Sequence, residues 1–196
     1  MNLSNSTYAI DITVREALSI FYQKLGEGDD GGISKSWIKI NVGKFYIPFP
    51  NFPARKKAVL FHDVHHILTG YETHWKGEVE LGAWEVATGC GYFRAAWLFD
   101  MGSLAMGLFL YPVATYRAFV RGWRNKNFYH ETHTYQQILG MTVAEAQALL
   151  KLNIPPHESS RATGWIAFIG YWILSFIVSF LVFVAPVVYI IHCIID

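Results

Sequence analysis

The chain has little charge. Lys and Arg number 16 and Asp and Glu 15 among 196 residues, a formal net charge of +1. That balance offers no footprint for nucleic acid, and the one basic stretch interleaved with aromatics, Arg121 to Tyr129, matches no nucleic-acid module. Cysteine is as scarce. Cys90 and Cys193 stand far apart, the second inside an apolar run, which excludes a disulfide framework. The first residues, MNLSNSTYAIDITVREALSIF, have no basic segment leading into an apolar core, so no cleaved signal peptide is expected. From Gly164 to Ile195 charge is absent altogether. About 20 apolar residues suffice to span a bilayer, so this run predicts a transmembrane helix that Pro186 can kink or end. Trp165, Tyr171 and Trp172 suit the interfacial belt at its start. Arg161 and an earlier basic cluster precede the run and only Asp196 follows it. The positive-inside rule then gives a single-pass C-terminal anchor with the N-terminal domain in the cytoplasm.

What is present is apolar side chain: 53% of residues, with a mean hydropathy of +0.24. The length suits one domain, residues 1–160, plus the membrane segment 164–195. The expected fold is mostly α, a helical domain with a small β-hairpin and the C-terminal transmembrane helix. Val14, Ala17, Leu18, Phe21 and Leu25 recur at helical spacing, with Asp11 or Thr13 as cap. Gly26 to Gly32 reads as a loop whose acids lack the spacing of a calcium loop. Residues 36–49 alternate, with Ile38, Ile40 and Val42 before the link at Gly43-Lys44 and Phe45, Ile47 and Phe49 after it, a hairpin with Pro48 on an edge strand. A helix is expected from Pro53 to Leu68, ending at Gly70. Its basic first turn, Arg55 to Lys57, opposes the helix dipole and is either solvated or turned to anionic head groups or an acidic substrate. After Glu78 the chain reads as continuous helix to Phe99. Residues 97–120 are strongly apolar but broken by Asp100 and Pro112, which favours a buried or partly lipid-facing helix over a span. Thr142 and Glu145 form a capping box for a short helix.

The chemistry concentrates between His62 and Glu85, HDVHHILTGYETHWKGEVELGAWE. Residues four apart share a helix face, so the rings of His62 and His66 can converge on one ion. Asp63 lies about 100° round from His62 by the 3.6-residue period, able to join the site or to orient a ring. Glu78 can return as a further ligand through a turn at Gly70-Tyr71. Imidazole and carboxylate donors suit zinc or non-haem iron, with manganese as a further candidate. His65 and Glu85 are possible additional members, Glu85 sharing the face of Glu78 seven residues on. The competing reading is a solvated helix face.

The pattern HD, two residues, H, eleven residues, E resembles that of the coenzyme Q biosynthesis protein 4 family. The surrounding HHILTGYETHWKGEVELGAWE and the segment 121–155 are also similar to it. The resemblance covers roughly Pro53 to Pro155. It implies a helical, membrane-associated protein that binds polyprenyl lipid, with His62, Asp63, His66 and Glu78 as its metal and catalytic residues. It further implies oxidative decarboxylation and hydroxylation of the aromatic head group of a ubiquinone precursor, in a quinone-biosynthesis complex or homo-oligomer. The 36–49 hairpin and the C-terminal span depart from the family, as in a diverged, membrane-anchored relative. The alternatives are a lipid-binding scaffold whose metal only staples two helices, and a membrane di-iron hydroxylase or desaturase using HDVHH with His130 and His133. A phosphohydrolase of the HD type lacks its separated partners.

Overall fold

The computed structural model describes residues 8–26, 28, 30–42, 45–130, 132–153 and 159–185. Among these it is mostly helical, with one two-stranded hairpin and a long apolar C-terminal helix. Helix α1 spans Val14–Leu25 and starts where Thr13 and Glu16 close a capping box, each side chain satisfying the other's backbone N–H. It buries Val14, Ala17, Leu18, Phe21 and Tyr22, whereas Leu25, at the right spacing but in the last turn, is exposed. The next turn is organised by Asp30, whose carboxylate accepts from the N–H groups of Gly32 and Ser34. Strands β1 (Trp37–Val42) and β2 (Phe45–Pro50) pair antiparallel, with Ile40 opposite Ile47. The link at Gly43-Lys44 lies outside the described residues. The base of the hairpin packs through Phe49 on Phe52 and Phe99.

Helix α2 (Pro53–Thr69) starts with Pro at its first position, where the missing N–H is harmless. Arg55 in its basic first turn is half-buried and donates to the Asn51 side chain. The helix ends at Gly70, whose φ of 78° is left-handed. That conformation costs an L-residue roughly 1–2 kcal/mol and glycine almost nothing. The reversal brings in α3 (Trp75–Thr88), capped by the His74 side chain. Continuous helix to Phe99 is not what forms. Gly89 and Gly91 adopt positive φ and break the run, and α4 (Arg94–Leu110) begins afresh. Pro112 then starts α5 (Pro112–Gly122), so residues 97–120 are two helices meeting at a corner rather than one span.

Helix α3 lies at the centre, between α4 and α5, with Leu81, Ala83, Trp84 and Val86 fully buried. Its Trp84 indole N–H donates to Asn125, 2.9 Å away. A Cβ on Gly122 would stand 2.6 Å from the Trp84 carbonyl oxygen, so α5 approaches α3 only because Gly122 has no side chain. Gly122→Val is expected to force these helices apart at about 1–3 kcal/mol, a loss of roughly 5 °C in a melting scan in mild detergent.

Helices α6 (Tyr135–Gly140) and α7 (Val143–Leu149) open with capping boxes at Thr134/Gln137 and Thr142/Glu145 and close the core under α1. Helix α8 (Ser159–Ser179) continues into a π-helical turn, Phe180–Val184. The stretch Thr163–Val182 is long and apolar enough to cross a membrane, and little of it is covered by the rest of the chain. Its first turns pack on α4 and α5, where Tyr171 stacks on Trp97, while Trp165 and Trp172 remain partly exposed. Pro186 lies outside the described residues.

Candidate metal centre

The α2–α3 reversal sets the imidazoles of His62 and His66 against the Glu78 carboxylate. Nε2 of His66 lies 3.3 Å from Glu78 Oε1, and Nε2 of His62 lies 3.5 Å from Oε2. Two donors on a tetrahedral ion, each roughly 2.1 Å from it, stand about 3.4 Å apart, so these separations suit a shared ion.

The ring orientations are set from behind. Nδ1 of His66 is 2.9 Å from the Tyr71 carbonyl, which can only accept, so the Nδ1 proton is fixed and the Nε2 lone pair faces Glu78. Nδ1 of His62 donates to Glu85 Oε2 at 2.9 Å, which turns its Nε2 lone pair the same way. Two lone pairs facing a carboxylate repel unless a proton or a cation lies between them. That donor set fits a divalent metal, and buried partners behind each ring are what such ligands commonly have. Arg121 holds the turn in place. It donates to the Thr69 carbonyl at 2.9 Å and lies over the Tyr71 ring, so one member of the basic stretch has a structural use. Phe21 of α1 stacks on His66 and closes that side.

Asp63 is not drawn into this set. Its carboxylate accepts the Tyr22 hydroxyl at 3.0 Å, and burial raises its pKa against the opposing pull of His62 and His66. Nor is His65 free to ligate. Its Nδ1 meets Glu85 Oε1 at 2.5 Å and its Nε2 accepts the Phe128 backbone N–H at 3.0 Å, so both nitrogens are used, one tying α2 to α3 and the other tying the 121–130 segment to α2. Glu85 thus orients two rings from a fully buried position. Behind it Asp100 shares a hydrogen bond with Glu85 and receives the Cys90 thiol at 3.3 Å. Burial and the Glu85 charge push Asp100 well above the usual carboxyl range. His62, Glu85 and Asp100 form a second cluster of possible ligands, deeper than the first. Asp100 had a signal in the sequence, a lone acid in an apolar run. Tyr22 and the Tyr71 carbonyl had none. Among the described residues neither His130 nor His133 joins either cluster, so the second histidine box of a di-iron reading is not assembled here.

Burial works against charge at His62, but Glu85 and Glu78 outweigh it and raise its pKa well above the ordinary imidazole value of 6.5. Burial likewise pushes Glu78 up, and His66 and His62 overcome it, bringing Glu78 down from 4.5 to about 2. In metal-free protein the raised His62 pKa contributes stability that is complete below pH 6.5 and lost as pH rises through the raised value. The lowered Glu78 pKa contributes stability that is complete above pH 4.5 and lost as pH falls through about 2. The urea-midpoint difference between wild type and Glu78→Gln, measured in chelator, is therefore expected to peak between these limits and shrink on either side.

Compared with protein-family models, with curated proteins and with solved structures, the chain matches none.

Proposed function

We propose that this chain is a metal-dependent enzyme of prenylated-quinone biosynthesis, a diverged and membrane-anchored relative of the coenzyme Q biosynthesis protein 4 family. It acts on the aromatic head group of a polyprenyl precursor. The observation that carries this reading is the convergence of His62, His66 and Glu78, with both imidazole lone pairs aimed at one carboxylate, in a domain joined to an apolar helix of spanning length. The resemblance supplies the substrate class.

A divalent metal bound there, zinc by the donor set and iron or manganese as alternatives, supplies Lewis acidity toward the phenol or carboxylate of an aromatic acid. The chain does the positioning. Glu85 and the Tyr71 carbonyl fix the two rings, and Glu78 provides the balancing charge. With Asp63 tied to Tyr22 and His65 to Phe128, three protein ligands leave a position for substrate, as catalytic sites do; a structural site is closed by four. Asp63 and the Tyr22 hydroxyl form a hydrogen-bonded pair beside His62 and His66 that can hold a proton. Replacing a ring carboxylate by hydroxyl releases carbon dioxide, takes oxygen from water and passes two electrons to an oxidant, for which dioxygen is the candidate. Helix α8 serves as a single-pass anchor that keeps the cytoplasmic domain beside insoluble substrate.

The test is metal analysis together with mass spectrometry of the lipids that copurify with full-length protein in mild detergent. About one divalent metal per chain with a polyprenylated aromatic acid is the expected result. Folded, metal-free protein carrying only phospholipid would overturn the proposal. Metal with phospholipid alone would favour the scaffold.

A further inference from the structure

Between Asp100 and Arg117 the sequence MGSLAMGLFLYPVATY carries no charge, and the corner between α4 and α5 falls inside it. Isolated apolar side chains on a surface need no explanation, but these are contiguous at one tip. Phe109 is 75% exposed, Val113 60%, Leu110 53% and Met106 40%. The tip also lies against α8, since the Phe109 ring meets Phe176 edge-on with centroids 5.4 Å apart. Phe176 stands thirteen residues beyond Thr163, the start of the apolar stretch. At 1.5 Å per residue that is about 20 Å along the helix, inside an apolar layer roughly 30 Å thick. A side chain touching Phe176 shares its depth.

We propose that the α4–α5 corner is a wedge seated in the hydrocarbon of the bilayer beside α8, its occupant the acyl chains of lipid. This rests on α8 spanning the membrane. Backbone in lipid must satisfy its own polar groups, and at this helix break those of Tyr111 are satisfied. Pro112 has no N–H to place, and the Tyr111 N–H donates to the Gly107 carbonyl at 2.7 Å. The Tyr111 carbonyl in turn accepts both the N–H and the hydroxyl of Thr115, at 3.0 and 2.9 Å. Of the charges flanking the run, Asp100 is buried in the fold, and Arg117 is exposed five residues after Pro112, about 7 Å along α5 in the direction of the head groups, toward which a long side chain extends. The wedge fixes the domain against the bilayer at a second point, so that it cannot swing freely on its anchor.

The experiment places an environment-sensitive fluorophore on single cysteines in the full chain, in a Cys193→Ser background where Cys90 is buried and unreactive. The sites are Phe109→Cys and Val113→Cys at the corner, Ile173→Cys on α8, and Tyr92→Cys, which is fully exposed just before α4. In phosphatidylcholine vesicles carrying a doxyl quencher on the acyl chains, positions 109, 113 and 173 are expected to emit to the blue of position 92 and be quenched at least threefold more. Aqueous spectra at 109 and 113 with quenching at 173 would overturn the wedge and leave the anchor standing. Absence of quenching at 173 as well would remove the span, and the wedge with it. Blue emission at 109 and 113 without quenching would mean that protein, such as a second copy, covers the corner, and would equally refute lipid as its occupant.

Discussion

Purified Glu78→Ala protein is expected to lose its metal while keeping its fold. Among the described residues Glu78 is the only carboxylate that both imidazole lone pairs face, at 3.3 and 3.5 Å. Its removal leaves two neutral nitrogens with no anionic partner. Groups that merely orient a ligand are worth roughly 10–100-fold in metal affinity, so losing a ligand should weaken binding on the order of a hundredfold or more, about 2.7 kcal/mol. The fold should survive because the Glu78 side chain is 38% exposed and its two partners keep the contacts that hold their rings, His62 to Glu85 and His66 to the Tyr71 carbonyl. The natural control is Glu72→Ala, which removes an exposed acid paired with His74 a few residues away. Metal content by mass spectrometry, with far-ultraviolet circular dichroism as the folding check, separates the two. Wild-type metal content in Glu78→Ala would show that the convergence of the three side chains holds no ion.

The three converging residues were readable because their geometry is local. His62 and His66 are one helical turn apart, and Gly70 announces the reversal that returns Glu78. The start at Thr142 with Glu145 was readable for the same reason, its hydrogen-bonding logic lying within four residues, whereas the first helix left Asp11 and Thr13 both open until Glu16 is seen to close the box on Thr13. The groups that fix the rings were not. Tyr22 reaches Asp63 across 41 positions and Phe128 reaches His65 across 63, and no periodicity encodes such meetings. Asp63 and His65 looked like ligands because each shares a helix turn with His62 and His66, and partners brought by tertiary packing claimed them instead. The break at Gly89 was missed because apolar periodicity continues across it, while two glycines at positive φ decide the backbone. The α4–α5 corner was legible as a proline in an apolar run, but its depth beside α8 depends on the Phe109–Phe176 contact.

Glu85 supports the second large prediction, because it is fully buried and serves two rings at once. Glu85→Ala leaves the Nδ1 protons of His62 and His65 without an acceptor and Asp100 without its partner. Orphaned buried donors cost roughly 1–3 kcal/mol each, so a total of about 3–5 kcal/mol is expected, on the order of a 10 °C fall in melting temperature. Glu85→Gln is the more telling variant. The amide keeps the shape but offers one acceptor and one donor where the carboxylate offered two acceptors. His65 cannot change tautomer, because its Nε2 already accepts the Phe128 N–H. The amide oxygen must therefore face His65, and the amide NH2 must face His62 Nδ1. His62 is then forced to carry its proton on Nε2, the atom aimed at Glu78. The expected result is a folded protein with a modest stability loss, a His62 ring that in nitrogen-15 NMR spectra of metal-free protein goes from doubly protonated to the neutral Nε2–H tautomer, and metal affinity down roughly 10–100-fold. Unchanged affinity together with the switched tautomer would mean that the His62 Nε2 lone pair is not used for metal, which leaves His66 and Glu78 too few to hold one.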